Sequence, residues 1–200
     1  MTPRYPPAPW HMLGQSWGGL FRADQPLGVP AGLRHVLPPR WLVVGLVHYR
    51  EGTLRYDEFF TASVARRGSQ FGLYVQRIWV NDRASQAGGR AIWGLPKELA
   101  TFVWHDKGVR ISEEAGLLAS ITVNRKPRAL PPLPLRGAGI GRKHATPVFF
   151  PIDLWGCFGR AAMRIDEWTS RIHPQISARP LLSVAMNPFR ATFHRPLPEA

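Results

Sequence analysis

Proline and glycine punctuate this chain so closely that long helices are excluded. Twenty prolines and nineteen glycines fall within 200 residues. A proline inside a helix removes a backbone hydrogen bond and clashes with the preceding turn, and glycine carries an extra entropic cost there. Short extended segments joined by turns remain, and the apolar pattern supplies them. Residues 41–49 are β-branched and apolar at successive positions, as in a strand buried on both faces. Residues 53–60 alternate instead, with Leu54, Tyr56, Glu58 and Phe60 on one face and Arg55 and Asp57 on the other. Glu58 thus stands on a mostly apolar face, either as an inward edge charge paired with an arginine or as part of a site.

Further strands are expected over 71–80, 101–105, 109–111, 117–124, 148–150, 156–165, 181–186 and 189–194. Asn187-Pro188 reads as the turn between the last two. Residues 127–134 hold four prolines and read as a loop or edge crossing, and Gly137 to Gly141 as a flexible turn. Residues 1–40 read as a proline-rich arm packed on a single domain, 41–200. Many short strands with frequent turns predict a mainly β fold, an antiparallel barrel or sandwich with a few short helices.

The chain carries a net charge of +13, and arginine outnumbers lysine 22 to 4. Such a field draws acidic metabolites and binds nucleic acid without specificity. No zinc-finger spacing, recognition helix or aromatic RNA-binding strand accompanies it, so no specific nucleic-acid partner is expected. The seven histidines form no His-x-His or His-Glu-x-x-His pair, and no metal site is expected. No Gly-x-Ser-x-Gly elbow or phosphate-binding loop is present, and no cofactor is expected. The single cysteine, Cys157, excludes an internal disulfide, and the first residues lack the apolar core of a secretory signal. The longest apolar run, 41–47, is too short to span a bilayer. A cytoplasmic protein without membrane association is the expectation.

The most informative stretch is Gly88-Gly89-Arg90-Ala91-Ile92-Trp93-Gly94-Leu95-Pro96-Lys97-Glu98. The paired glycines permit a tight bend, and Pro96 suits the first position of a short helix with Glu98 in its first turn. Lys97 is flanked by Trp93, Leu95, Leu99 and Phe102. Two accounts stay open on the residues alone. One is a solvated lysine at a prolyl helix start. The other is an amine held among apolar groups, where desolvation disfavours the charged form and a neutral amine is a nucleophile.

Gly89-Arg90 followed by Gly94-Leu95-Pro96-Lys97 resembles the signature of the acetoacetate decarboxylase family, as do His48-Tyr49-Arg50-Glu51-Gly52 and Tyr56-Asp57-Glu58 upstream. The resemblance is specific over residues 41–105. It implies an antiparallel, cone-shaped β-barrel, assembled into homo-oligomers, whose lysine forms a Schiff base with a small keto acid or other acidic metabolite. Lys97 and Glu58 are then the catalytic candidates. Arg90, Trp93, Tyr56 and Arg77 are the substrate-binding candidates. The implied activity is that of a carbon–carbon lyase, with an aldolase or dehydratase using the same imine, or a barrel that only binds a metabolite, as alternatives. Some positions depart from the family pattern. Glu98 stands where the family usually carries a second lysine, Ala91 replaces an acidic residue, a second family glutamate falls on Val43, and an arginine falls near Pro7.

Overall fold

The computed structural model describes residues 4–124, 129–173 and 175–198. Its elements in chain order are β1 (Trp10–Arg22), β2 (Arg34–His35), β3 (Trp41–Gly52), β4 (Tyr56–Arg67), β5 (Gln70–Val80), α1 (Arg83–Trp93), β6 (Lys97–Leu99), β7 (Thr101–His105), β8 (Gly108–Glu113), β9 (Gly116–Val123), β10 (Ala129–Lys143), β11 (Thr146–Arg160), β12 (Met163–Trp168) and β13 (Leu182–Phe193). Seven strands close on themselves in the order β4-β3-β1-β13-β11-β10-β5, with β5 returning to β4. Every neighbouring pair in that ring is antiparallel except the closing pair, β10 with β5, which is parallel over Gly139↔Leu73 and Ile140↔Tyr74. The turn density predicts a barrel or a sandwich and the family resemblance implies a barrel; a mainly β barrel is the observed fold.

A second sheet, in the order β12-β9-β8-β7, covers part of the barrel's outside. This explains why β3 reads as apolar at successive positions. Leu42, Val44 and Leu46 point outward and pack with Val109, Ile111 and Ile121 of the second sheet. Val43, Val47 and Tyr49 point into the barrel. The alternation of β4 is also realised, with Tyr56, Glu58 and Phe60 inside and Phe59 outside, stacked on Trp79.

Several segments differ from the sequence-based reading, each for a local reason. The expected N-terminal arm contains β1, which lies between β3 and β13 in the barrel wall. Its prolines end at Pro9 and resume at Pro26, which leaves an unbroken run long enough for a strand. Residues 127–128 lie outside the described residues. The remaining prolines of that stretch lie in β10, on a portion paired with β11 alone, where a missing N–H costs no second ladder.

Gly137 to Gly141 is also strand rather than turn. Gly139 lies beneath the Phe150 ring, and a Cβ there would come within 2.1 Å of it. The segments 181–186 and 189–194 form one strand. Asn187 and Pro188 together oppose Gln15 on β1 and Cys157 on β11, so the proline sits in a β-bulge instead of a turn.

The lysine segment differs most. Residues 83–93 form α1, capped by Asp82, whose side chain accepts a hydrogen bond from the Ser85 backbone N–H at 2.6 Å. Gly94, at φ +65°, ends the helix in the left-handed region that glycine occupies without penalty. Pro96 therefore follows a helix rather than starting one. Lys97 opens β6, which runs parallel to β5 with Ile78↔Lys97 and Trp79↔Glu98 in register. No helix among the described residues is long and apolar enough to cross a membrane.

Candidate active site

Lys97 is a buried charged side chain, 2% exposed. Strand alternation aims it inward, as it aims its neighbour Glu98 outward. An ammonium has three N–H donors, and Lys97 Nζ meets three acceptors: Glu58 Oε2 at 2.9 Å, Ser85 Oγ at 2.9 Å and Tyr56 Oη at 3.3 Å. The same nitrogen lies 4.9 Å from the Tyr56 ring centroid, within cation–π range. Glu58 is 7% exposed and also accepts long hydrogen bonds of 3.4 Å from Tyr49 and Tyr56. Burial, and next to it the Glu58 carboxylate, hold both phenols well above the ordinary tyrosine range, so they stay protonated as donors.

Helix α1 holds the lysine from behind. Arg90 Nε donates to the Lys97 backbone carbonyl at 2.7 Å, and Gln86 Nε2 to the same oxygen at 3.3 Å. Gly89 faces the lysine stem. A Cβ there would stand 2.6 Å from Lys97 Cδ and 2.8 Å from Cε. The helix can lie against the side chain only because that position lacks one.

Lys97, Glu58, Tyr49 and Tyr56 line one side of a cavity of about 280 Å³ inside the barrel. The remaining wall is mainly aliphatic and aromatic, and includes Trp93, Phe150, Leu154 and Phe189. Of the residues singled out in the sequence, Lys97, Glu58, Tyr56 and Trp93 meet at this cavity. Arg90 and Arg77 do not line it. With Arg142 and Glu98 they border a separate outer groove of about 710 Å³. Only Val75 and Leu95 line both spaces, as a shared wall.

Ser85, Tyr49 and Trp10 were not singled out as site residues, and each reaches the site through a different element. The Asp82-x-x-Ser85 spacing carries a helix-start signal that locates Ser85 in the first turn. Tyr49 pairs directly with Tyr56 in the β3–β4 register, and Trp10 arrives on β1, 5.9 Å from Lys97 Nζ at its ring centroid.

A closed β-barrel with a buried amine, set against a carboxylate at the wall of an apolar cavity, defines the class: a barrel with an interior lysine site. The family model for acetoacetate decarboxylase matches residues 29–138, more than half of the chain, and the chain belongs to the acetoacetate decarboxylase family. Among curated relatives, the acetoacetate decarboxylase of Burkholderia vietnamiensis is 29% identical over 113 residues, covering 52% of this chain and 44% of that protein. That of Ralstonia nicotianae is 30% identical over 109 residues, covering 50% of this chain and 42% of that protein. The chain thus matches less than half the length of these relatives.

Solved structures agree on the fold. The acetoacetate decarboxylase of Legionella pneumophila aligns at a TM-score of 0.68 with 18% identity, over 99% of this chain and 90% of that one. The enduracididine biosynthesis enzyme MppR complexed with pyruvate aligns at 0.62 with 14% identity, over 96% and 90%.

Proposed function

We propose that this protein is a Schiff-base carbon–carbon lyase in which Lys97 is the amine and Glu58 the proton carrier. One observation carries the reading: Lys97 Nζ is buried at the wall of an apolar cavity, 2.9 Å from the Glu58 carboxylate. A buried ion pair like this is weak as a stabilising device, and a paired amine and carboxylate at the wall of a cavity are candidates for a functional role. The setting offers what imine formation needs. A proton passes from Lys97 to Glu58, and the freed amine attacks a carbonyl carbon. Proton transfer within the adduct gives a neutral carbinolamine. Glu58 then returns the proton to its hydroxyl, water leaves, and an iminium forms beside a carboxylate.

The iminium nitrogen accepts the electron pair of a breaking carbon–carbon bond, giving an enamine that a proton then quenches. Decarboxylation, aldol cleavage and dehydration share this intermediate. Tyr49 and Tyr56, held as phenols, orient the carboxylate that shuttles the proton. We carry homo-oligomeric assembly, a cytoplasmic setting and the absence of a specific nucleic-acid partner into the same proposal, on the family resemblance and the lack of recognition motifs.

The test is borohydride trapping with a panel of ketones and keto acids, followed by peptide mapping of wild-type protein. The expected outcome is a reduced adduct on the peptide carrying Lys97. Folded protein that forms no adduct there with any carbonyl compound would leave the metabolite-binding barrel as the better account.

A further inference from the structure

We propose that the cavity takes an uncharged, largely apolar carbonyl compound rather than a keto acid. The inference rests on the lysine chemistry above and concerns what that chemistry is offered. Among the described residues lining the cavity, Lys97 and Glu58 are the only lysine or carboxylate side chains. They are already paired at 2.9 Å. No arginine or histidine among the described residues lines the space, although the chain holds 22 arginines.

The neutral donors are also committed. The three indole N–H groups at the cavity donate to backbone carbonyls elsewhere: Trp10 to Pro6, Trp17 to Asn124 and Trp93 to His194. The Tyr49 and Tyr56 hydroxyls face Glu58. Ser16 is the remaining hydroxyl at the wall, and it supplies a hydrogen bond but no countercharge. Arg77, Arg90 and Arg142 border the outer groove beyond Val75 and Leu95. Arg90 is further held there by the Lys97 carbonyl.

Charge balance along the reaction decides between substrates. A ketone leaves an iminium cation beside the Glu58 carboxylate, and the cavity stays neutral. A keto acid brings a second anion into the same apolar space, and an unpaired buried charge is costly. An uncharged substrate has no carboxylate to lose, so the matching carbon–carbon chemistry is aldol-type. In the cleavage direction, Glu58 takes the proton from a β-hydroxyl and the adjacent carbon–carbon bond breaks. An aldehyde then departs, and the electron pair forms the enamine. Glu58 returns its proton to the enamine carbon, and water hydrolyses the resulting iminium to release the ketone and Lys97.

The experiment compares 2-heptanone with 6-oxoheptanoate, which share chain length and carbonyl reactivity and differ in one terminal carboxylate; acetoacetate serves as a short acid. Half-labelling of Lys97 under cyanoborohydride should need at least about tenfold less ketone than either acid. Either acid labelling Lys97 at an equal or lower concentration would overturn the proposal. In Glu58→Gln the iminium has lost its countercharge, and the acid-to-ketone labelling ratio should rise at least about tenfold over wild type; an unchanged ratio would refute the charge argument.

Tryptophan fluorescence, read without reductant through Trp10, Trp17 and Trp93, separates the two layers. Saturable response to 2-heptanone but not to the acids, with no adduct, would remove the lysine chemistry while upholding the ligand class. A response to the acids in preference, or to none of the probes in a protein that also forms no adduct, would sink the ligand class.

Discussion

The Lys97 ammonium and the Glu58 carboxylate each offset part of the penalty of burying the other. Both side chains are almost inaccessible, and their link of 2.9 Å is the shortest route by which either is neutralised. Lys97→Met would leave the carboxylate buried with two phenolic partners and no cation. Removing one member of such a pair costs about 3–5 kcal/mol. The double variant Lys97→Met with Glu58→Gln removes the stranded charge as well, and should recover about 2 kcal/mol of that loss by coupling. Urea unfolding midpoints of the two variants check both figures. Glu98, one residue along, takes no part. It faces the outer groove because strand neighbours point oppositely. An amine placed by a helix start, as the Pro96 pattern suggests, would have left that orientation open.

At the scale of elements, α1 is the piece that fixes the lysine, and its contact face is made by an absence. Gly89→Ala would ordinarily strengthen an exposed helix by about 1 kcal/mol. Here the added methyl meets Lys97 Cδ at 2.6 Å, on a side chain pinned at its far end by three acceptors. The expected result is destabilisation of about 1–3 kcal/mol together with at least about tenfold weaker borohydride trapping on Lys97. Gly137→Ala, where a Cβ meets nothing within 4 Å, is the control.

The same helix marks the limit of sequence reading. Strands β3, β4 and β5 are legible because apolar patterning is a local signal, and the inward face of Glu58 follows from the parity of β4. Helix α1 is not, since two adjacent glycines lower helix propensity, and the face they open packs against Trp10 and Lys97, which are distant or later in the chain. Strand β1 is obscured by prolines at both of its borders, and Ser85 and Trp10 reach Lys97 only through pairings distant in sequence. The Lys97 environment is legible through a motif match. The location of Arg77 and Arg90 across a wall from it is not, because a motif carries no register.

For the whole molecule, acid sensitivity is set partly by His173. Burial, with the Arg77 guanidinium adding to it, lowers His173 from the ordinary 6.5 to about 4, and its Nε2 pairs with Thr61 Oγ1 at 2.8 Å. The unfolded chain protonates this group first as pH falls. Stability should therefore decline from about pH 6.5 to about pH 4, with no further contribution from His173 below that. Denaturation midpoints across the interval should fall less steeply for His173→Gln; an equal slope would assign the sensitivity elsewhere.

The barrel that carries all of this is fastened unevenly. Six of its seven junctions run as long antiparallel ladders, whereas the β5–β10 junction is held over two residue pairs. Breathing motions take the junction with the fewest bonds to break, and Leu73 and Gly139, which meet there, both face the cavity. Any guest that fills the interior touches both sides of that line and acts as a latch, closing from within the one join that the barrel ladders leave short.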